Sequence, residues 1–462
     1  MVILIRVKTF IEEAKSGSID LDDFIKKVVE SSHSIQEKYS PFITINDSPS
    51  PGKGSLQYLP VSIKDNICTK GIKSTAGSKI LETYVPTFDA TVVKKVKEAG
   101  GMIIGKTAQD EFGFGTFSTN CAYGVPKNPY DTSRTCGGSS GGASCLTAAA
   151  DFPHIAIAES TGGSITAPAA FTGTVGLTPT YGRVSRFGLI DYSNSMDKIG
   201  VISREVYDSA LMLSIISGHD PLDSTSSTKE SEDFMRYIEH DVKGFRLGVP
   251  REYFEGVDVS VEKLVWERLK ALESEGVELV EISLPSTKYA IAAYYIIAMS
   301  EASTNLARYC GMRYGMQEEV DGDFSEYFSK VRSKYFGEEA KRRIILGTYM
   351  RAAGFRDAYY IKALKVRKLI IDEFKKAFAQ LDAIATPSMP MLPPRFDEIE
   401  KLTPIEIYNM DKMTTAPNLC GFPTISVPAG FSKGLPAGMQ IIGNHFEEGK
   451  IISIASKAEM IK

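Results

Sequence analysis

From residue 59 onward, short apolar segments alternate with amphipathic helical segments, and this order constrains the fold more than any other feature. Residues 59–63, 102–104 and 154–158 are short apolar runs next to turn-forming residues, so we predict that they are strands. Residues 90–99 are predicted to form a helix that ends at a pair of glycines. This alternation predicts an α/β fold in which helices sandwich a central sheet, with functional residues where strands end and loops begin.

Stretches on either side extend this pattern. Residues 7–40 are predicted to form two amphipathic helices. Residues 221–380 are charged, rich in tyrosine and mostly helical, with one predicted strand at 277–282. Strand patterns return at 383–386 and 424–427. Because the sequence shows neither a repeat nor a flexible linker, we predict a single domain over residues 1–462. Its predicted parts are an N-terminal helical arm (1–48), a catalytic core (59–220), a helical insertion (221–380), and return strands with a C-terminal helix (381–462).

The composition argues against some functions. The 53 Lys and Arg residues and 57 Asp and Glu residues give a net charge of −4 without a long run of one sign, which argues against a basic face for a nucleic-acid backbone. The six cysteines show no CxxC pair and no metal-ligand spacing with histidine. We therefore expect mostly buried thiols in a reducing compartment and no metal site, with a catalytic cysteine as the alternative. No signal sequence and no run of roughly 20 apolar residues is evident, so we expect a cytoplasmic protein without membrane contact.

Two glycine-rich loops contain the residues that indicate chemistry. Gly137-Gly138-Ser139-Ser140-Gly141-Gly142 contains Ser139, and residues 160–165, which read STGGSI, contain Ser164. A serine attacks a carbonyl only if another group takes its proton, and no histidine lies near either loop in the sequence. Lys64, at the end of the predicted strand 59–63, is another candidate base. A lysine with two glycine-flanked serines favours amide-bond chemistry.

A lysine can serve as a base at neutral pH only if its surroundings lower the pKa of its amine. The ordinary pKa of a lysine is about 10.4, and burial in an apolar environment lowers the pKa of lysines in general. We therefore expect Lys64 to be buried and uncharged. The alternative is a surface lysine paired with its neighbour Asp65.

The second loop is also a candidate oxyanion hole. In Thr161-Gly162-Gly163-Ser164, successive backbone N–H groups could point at one spot beside the Ser164 hydroxyl. Such donors stabilise a negative oxygen by a few kcal/mol each. The alternative is a flexible glycine loop without function.

The first loop also fits a different motif. Residues 137–141 match the G-x-S-x-G nucleophile elbow of α/β-hydrolases, which needs a later histidine, and His219, His240 and His445 follow Ser139. The elbow also needs an apolar strand directly before it, whereas the preceding DTSRTC is polar. This mismatch argues against the elbow.

The chain resembles the amidase signature family, which has the same pair of serine loops and the same lysine strand. This resemblance implies a central mixed β-sheet between helices. Within the family, it is most similar to the glutaminase subunits of tRNA-dependent amidotransferases. The stretches that support this closer resemblance are IKDNICTKG (63–71), VGLTPTYGRVSRFG (175–188), YYIIAMSEASTNLARYCGMRYG (294–315), FGEEAKRRIILGT (336–348) and YNMDKMTTAPNLCGFP (408–423).

The resemblance assigns roles to the loop residues. It implies that Ser164 is the nucleophile that forms an acyl-enzyme. It also implies that Ser139, on a cis peptide bond, passes a proton between Ser164 and Lys64, and that Lys64 is the base. The backbone of Thr161, Gly162, Gly163 and Ser164 corresponds to the oxyanion hole.

The resemblance also implies a site for the substrate's head group. Asp411 corresponds to the acid that holds the α-ammonium of glutamine. An arginine of residues 341–343, for which we favour Arg343, corresponds to the group that holds the α-carboxylate, because the guanidinium fork suits a carboxylate. The alternative is that Asp411 and Arg343 form structural ion pairs elsewhere.

The implied reaction is hydrolysis of glutamine to glutamate and ammonia, which amidotransferase subunits B and C would use to amidate Glu-tRNA(Gln), Asp-tRNA(Asn) or both. No cofactor is expected in this chain, whereas ATP and magnesium are expected in the partner subunit, which would also hold most of the tRNA. One alternative is a stand-alone amidase of a small or aryl amide. The other is a catalytically silent scaffold.

Two positions depart from the family pattern. The family usually has an aspartate where this chain has Ser160 and an arginine where it has Thr166. Losing one partner of a buried ion pair is costly, whereas losing both can be nearly neutral. We therefore predict that Ser160 and Thr166 replace an ion pair with a neutral contact.

Overall fold

The computed structural model describes residues 6–461, so residues 1–5 and 462 of the predicted domain lie outside the description. The helices in this range are α1 (Val7–Ser16), α2 (Leu21–Tyr39), α3 (Thr91–Glu98), α4 (Gly141–Ala149), α5 (Thr166–Thr172), α6 (Val206–Ile216), α7 (Val259–Ser274), α8 (Ala290–Asn305), α9 (Phe324–Tyr335), α10 (Glu338–Arg351), α11 (Lys362–Phe378), α12 (Phe396–Ile399), α13 (Pro404–Asn409), α14 (Lys412–Leu419) and α15 (Glu448–Met460). The strands are β1 (Phe42–Ile45), β2 (Pro60–Lys64), β3 (Met102–Thr107), β4 (Lys127–Asn128), β5 (Asp131–Thr135), β6 (Ile155–Ser160), β7 (Val175–Thr178), β8 (Lys198–Ser203), β9 (Arg246–Pro250), β10 (Glu278–Ile282), β11 (Ala383–Pro387), β12 (Thr424–Ser432) and β13 (Leu435–Ile442).

Eleven of these strands form one sheet in the order β1-β3-β2-β6-β8-β7-β12-β13-β11-β9-β10. Neighbours β3, β2 and β6 are parallel, as are β11, β9 and β10. The strands between these two groups pair in antiparallel fashion, from β6 with β8 through to β13 with β11. The predicted α/β fold with a central mixed sheet is confirmed.

The sheet is buried on both faces at its centre, and β6 shows why. Ile155 and Ile157 point into the largest apolar cluster, which includes residues of α3, α6 and α15. The alternate residues Ala156 and Ala158 pack with Ala143 of α4 on the opposite face. Because side chains alternate across a strand, the large residues fill one face and the small ones let α4 lie close to the other.

The N-terminal region has the two predicted helices, α1 and α2. The Asp20 carboxylate caps α2 by accepting a hydrogen bond from Asp23 N at 3.1 Å, which satisfies one of the free N–H groups at the start of a helix. The predicted turn after the α3 helix depends on Gly100 for two reasons. Its φ is +88°, and a Cβ at this position would collide with the backbone of Gly52 and Gly54.

Seven of the strands in the described residues had no counterpart in the sequence prediction, namely β1, β4, β5, β7, β8, β9 and β13. Residues 221–380 contribute both β9 and β10 to the edge of the main sheet, where one strand was predicted. Of the missed strands, β9 and β13 contain both glycine and proline, which weaken the strand signal in a sequence. Within residues 6–461, no helix is both long and apolar enough to cross a membrane.

We predict that Leu177→Ala lowers the free energy of unfolding by about 2–5 kcal/mol, because its fully buried side chain would leave a cavity in the sheet. Leu222→Ala is the matched control, since Leu222 is 64% exposed and should change little. Urea denaturation followed by circular dichroism measures both. Equal stability of the two variants would contradict the packing described for β7.

Candidate active site

The candidate site lies where β2 and β6 end. These strands are parallel neighbours, and Lys64 and Ser160 are their last residues. The carboxyl ends of parallel strands meet at one edge of a sheet, so the loop after β6, which contains Ser164, starts beside Lys64. The Ser139 loop, residues 137–140 before α4, reaches the same edge.

Lys64 is fully buried and makes three short contacts. Its Nζ lies 2.7 Å from Ser139 Oγ, 2.9 Å from the backbone oxygen of Glu159 and 2.9 Å from Glu159 Oε2. The predicted contact between Lys64 and Ser139 is therefore present. The alternative pairing with Asp65 is wrong, because the Asp65 carboxylate instead accepts hydrogen bonds from Thr75.

The two serine loops are joined through their backbones. The Gly138–Ser139 peptide bond is cis, as the family resemblance implies. Ser140 N donates a hydrogen bond to the backbone oxygen of Ser164 at 3.3 Å. Ser164 is 6% exposed, and its hydroxyl is hydrogen-bonded to no residue in the range 6–461, including Ser139. The structure thus brings Lys64 and Ser139 into direct contact, and a backbone hydrogen bond joins Ser164 to the residue after Ser139.

The loop from Thr161 to Ser164 has the donors that an oxyanion hole needs. The backbone N–H groups of Gly162, Gly163 and Ser164 form no hydrogen bond within the described part of the chain. Buried N–H groups are rarely left unpaired, so these three are available to a bound oxygen. A side chain at Gly163 would collide with Thr414 Oγ1, which explains the need for glycine there.

Arg343 lies in an aromatic pocket. The residue is 3% exposed, and its guanidinium carbon lies 5.0–5.6 Å from the ring centres of four aromatic residues. Its Nε donates to Glu339 Oε1 at 2.8 Å and its Nη1 donates to Tyr192 Oη at 2.6 Å. Nη2 has no protein partner among residues 6–461, so one side of the guanidinium fork is open to a ligand. The aromatic residues are Phe114, Tyr192, Tyr295 and Tyr408.

Asp411 lies in the same pocket. Its Oδ2 accepts hydrogen bonds from Tyr295 Oη at 2.7 Å and Thr116 Oγ1 at 3.1 Å. Burial raises the pKa of Asp411 to about 6, although both hydrogen bonds and the charge of Arg343 act in the opposite direction. The Tyr295 ring that faces Arg343 also holds Asp411 through its hydroxyl, so the two charged groups share one cage. The alternative of structural ion pairs applies in part to Arg343, which pairs with Glu339, whereas Asp411 forms no salt bridge among the described residues.

The aromatic pocket adjoins the serines. A Cβ placed on Gly113 would lie 3.6 Å from Ser139 Oγ and 3.8 Å from Cδ1 of Tyr192, the same tyrosine that contacts Arg343. Thr414, which packs against Gly163, is one turn along the chain from Asp411, and its N–H bonds to the backbone oxygen of Asp411. The site therefore combines a reactive end with a charged, aromatic end.

Two residues of the site were missed by the sequence prediction. Glu159 contacts Lys64, and Glu339 pairs with Arg343. Glu159 had one available signal, since it is a charged residue at the end of an apolar strand directly before a glycine loop. Glu339 lies one turn before Arg343 on α10, a spacing typical of helical ion pairs.

The predicted neutral contact between Ser160 and Thr166 does not take the form of a hydrogen bond. Thr166 Oγ1 bonds to the backbone oxygen of Gly163 at 3.4 Å, and Ser160 Oγ is buried without a partner among the described residues. The side chains of successive strand residues point to opposite faces of the sheet, so Glu159 and Ser160 contact different neighbours.

A family model described as Amidase matches residues 7–452. The chain belongs to the amidase family. This amidase is 47% identical to the A subunit of glutamyl-tRNA(Gln) amidotransferase from Persephonella marina, over 99% of this chain and 93% of that protein. It is 51% identical to the protein of the same name from Thermodesulfovibrio yellowstonii, over 87% of this chain and 83% of that protein. The crystal structure of the corresponding Thermotoga maritima protein, also an A subunit of glutamyl-tRNA(Gln) amidotransferase, matches with a TM-score of 0.81 at 38% identity, covering 96% of this chain and 93% of that one.

We predict that a fluorophosphonate probe, which reacts with activated serines, labels this amidase at Ser164 and that Ser164→Ala abolishes the labelling. The reason is that Ser164 is partly accessible and lies beside the unpaired N–H groups of its loop. Intact-protein and peptide mass spectrometry measure the label.

The matched control for this labelling is Ser300→Ala. Ser300 is a buried serine whose hydroxyl, within residues 6–461, bonds only to the Ile296 carbonyl of its own helix, so its loss should leave labelling unchanged. Labelling that persists in Ser164→Ala would rule out Ser164 as the nucleophile.

Proposed function

We propose that this chain is the glutaminase subunit of a tRNA-dependent amidotransferase. The main observation is that Arg343 and Asp411 lie in one aromatic cage next to the serine loops. An open guanidinium edge and a carboxylate suit the α-carboxylate and α-ammonium of an amino acid. The relatives named as A subunits of glutamyl-tRNA(Gln) amidotransferase support glutamine as that amino acid.

The proposed chemistry is acyl transfer through Ser164. The Ser164 oxygen attacks the side-chain amide carbon of glutamine, and its proton passes to Ser139 while the Ser139 proton passes to Lys64. The oxyanion that forms accepts hydrogen bonds from the free N–H groups of the loop, chiefly those of Gly162 and Gly163. The Lys64 proton then returns through Ser139 to the amide nitrogen. The carbon–nitrogen bond breaks, releasing ammonia and leaving an acyl-enzyme on Ser164.

Water completes the cycle by the same route. It attacks the acyl carbon, gives its proton through Ser139 to Lys64, and releases glutamate as Ser164 regains its hydrogen. Lys64 gains a proton in each nucleophilic attack and returns it when the resulting tetrahedral intermediate breaks down, so the base is regenerated.

The ammonia would be used by partner subunits, for which we propose subunits B and C. A partner with ATP and magnesium would activate the carboxylate of Glu-tRNA(Gln), Asp-tRNA(Asn) or both, and ammonia would convert it to an amide. The net charge of −4 is consistent with most of the tRNA contacts lying on the partner. Reconstitution with these subunits, followed by glutamine-dependent amidation of each charged tRNA, tests this assignment.

The second candidate is a stand-alone amidase of a small or aryl amide. The catalytic loops alone would serve either substrate. A simple aryl amide offers no carboxylate to Arg343 Nη2 and no ammonium to Asp411, which has no cationic partner among the described residues. The charged cage therefore favours glutamine.

We predict that Arg343→Lys raises the KM for glutamine by roughly 10- to 100-fold, because a charge-assisted hydrogen bond is worth about 1.5–3 kcal/mol and lysine lacks the planar fork. Ammonia release measured over a range of glutamine concentrations gives KM and kcat. Hydrolysis of an aryl amide by the same variant should change little.

The control is Ile345→Ala, which changes a 68% exposed residue on the same helix and should leave KM unchanged. Equal loss of glutamine and aryl amide hydrolysis in Arg343→Lys would argue against head-group recognition. Robust aryl amide hydrolysis without a glutamine preference in the wild type would favour the stand-alone amidase.

We predict that glutamine binding weakens as the pH falls through about 6. The ionised Asp411 carboxylate is the form that attracts an ammonium, and burial raises its pKa to about 6, so protonation below that pH removes the charge. KM measured between pH 5 and 8 should rise toward acid pH. Asp411→Asn should have a high KM that is independent of pH, and a variant that keeps the wild-type pH dependence would contradict this role.

A further inference from the structure

The Lys64 amine is oriented mainly by one residue. A lysine nitrogen has three positions for hydrogens or a lone pair. Two of them face Glu159, through its backbone oxygen and its Oε2, both at 2.9 Å. The third faces Ser139 Oγ at 2.7 Å. With two positions facing acceptors of Glu159, the position at Ser139 Oγ is the one where a hydrogen is exchanged: the ammonium donates it there, and the neutral amine presents its lone pair there.

Glu159 is itself fixed at every oxygen. Oε2 also accepts a hydrogen bond from Asn66 Nδ2 at 3.2 Å, and Oε1 accepts one from Thr161 Oγ1 at 2.9 Å. Its backbone oxygen accepts a further bond from Ser140 Oγ at 3.1 Å. Asn66 follows the base, Ser140 follows the bridging serine, and Thr161 opens the nucleophile loop. Glu159 thus connects the three segments whose relative positions the proposed proton transfer requires.

We propose that Glu159 is a positioning residue that aims the Lys64 amine at Ser139 and stabilises the ammonium that Lys64 becomes when it takes the serine proton. The inference rests on the proposed function, because it concerns the base of the same reaction. In that step a Ser139 O–H bond breaks and a Lys64 N–H bond forms. The positive charge that appears on Lys64 is then 2.9 Å from the Glu159 carboxylate, which itself neither gains nor loses a proton. An aspartate plays the same part for histidine in serine hydrolases.

Thr161 lies between two carboxyl groups, and its single hydroxyl hydrogen can be donated to one of them. Thr161 Oγ1 lies 2.9 Å from Glu159 Oε1 and 2.8 Å from Asp197 Oδ1, yet a hydroxyl has one hydrogen to donate. If Thr161 donates to Glu159, the remaining contact is satisfied only when Asp197 donates to Thr161, which requires a protonated Asp197. Burial, and then the charge of Glu159, hold the pKa of Asp197 well above its usual range, which agrees with this assignment.

Other charged groups lie around the Lys64–Glu159 pair without contacting the Lys64 nitrogen. Asp110 lies in the loop before Gly113, and burial raises its pKa to about 6. The charge of Arg343 acts on Asp110, and the charge of Arg186 acts on Asp197; each lowers the pKa of the carboxyl group against the effect of burial. Among the described residues, Glu159 is therefore the carboxylate in direct contact with the base.

Glu159→Gln, which keeps the shape and removes the charge, tests the proposal. The readout is the rate of fluorophosphonate labelling at Ser164, because labelling needs an activated serine but no glutamine. We expect labelling to slow by roughly 100-fold or more, in the range of a lost acid–base contribution. The pH profile of the labelling rate should also change, because the variant removes the charge that contacts the base.

The Lys64→Met variant separates an effect of Glu159 on the Lys64 amine from an effect of Glu159 on the fold. In Lys64→Met there is no amine to position, so adding Glu159→Gln should slow labelling no further. Glu159→Asp keeps the charge with a shorter reach, and we expect slower labelling with the wild-type pH profile. Glu373→Gln is the matched control, since Glu373 is a part-buried carboxylate that accepts hydrogen bonds from Ser286 and should leave labelling unchanged. Circular dichroism checks that each variant is folded.

The outcomes distinguish the two levels of the proposal. An unlabelled wild type would overturn the proposed function itself. A labelled wild type with Glu159→Gln at the same rate and pH profile would overturn the role of Glu159 and leave the proposed function standing. A further slowing on adding Glu159→Gln to Lys64→Met would show that Glu159 acts on structure rather than through Lys64.

Discussion

The geometry of this site depends on the buried Lys64 amine. A charged or polar group without access to water must have partners of its own, since burial without them costs several kcal/mol. Lys64 has Ser139 on one side and Glu159 on the other. These partners require β2 and β6 to be parallel neighbours and require the Ser139 loop to fold back over their ends. The sheet order therefore fixes the reactive group before any substrate is present.

Chemistry and recognition come from different parts of the fold. Lys64 and the two serine loops lie at the edge of the sheet, whereas Arg343 is on α10 and Asp411 immediately precedes α14. A change in these helices could alter which amide fits while the sheet edge keeps its arrangement. The glycines of the Ser164 loop join the two parts, because Gly162 and Gly163 pack directly against Tyr294 and Thr414 of the recognition side.

Much of the fold was predictable from local pattern. The helices α1 and α2 and the strands β2, β3 and β6 follow apolar periodicity, and their positions agree with the prediction. Seven strands were missed, and two of them, β9 and β13, contain both glycine and proline. The strand β9 is ordered by pairing with β11, which is distant in sequence, whereas β13 pairs with its hairpin neighbour β12. The division of the chain into arm, core, insertion and return strands stays a prediction.

The sequence by itself determined which residue types were available: a lysine ending an apolar strand, and two serines in loops whose glycines leave backbone donors exposed. The tertiary structure alone decided their partners. Lys64 and Glu159 are 95 positions apart, and nothing local to either predicts the other. A local pattern reports how a segment fits its own helix or strand, whereas the charge balance of a buried group is set by side chains that only the packed sheet brings within 3 Å of it.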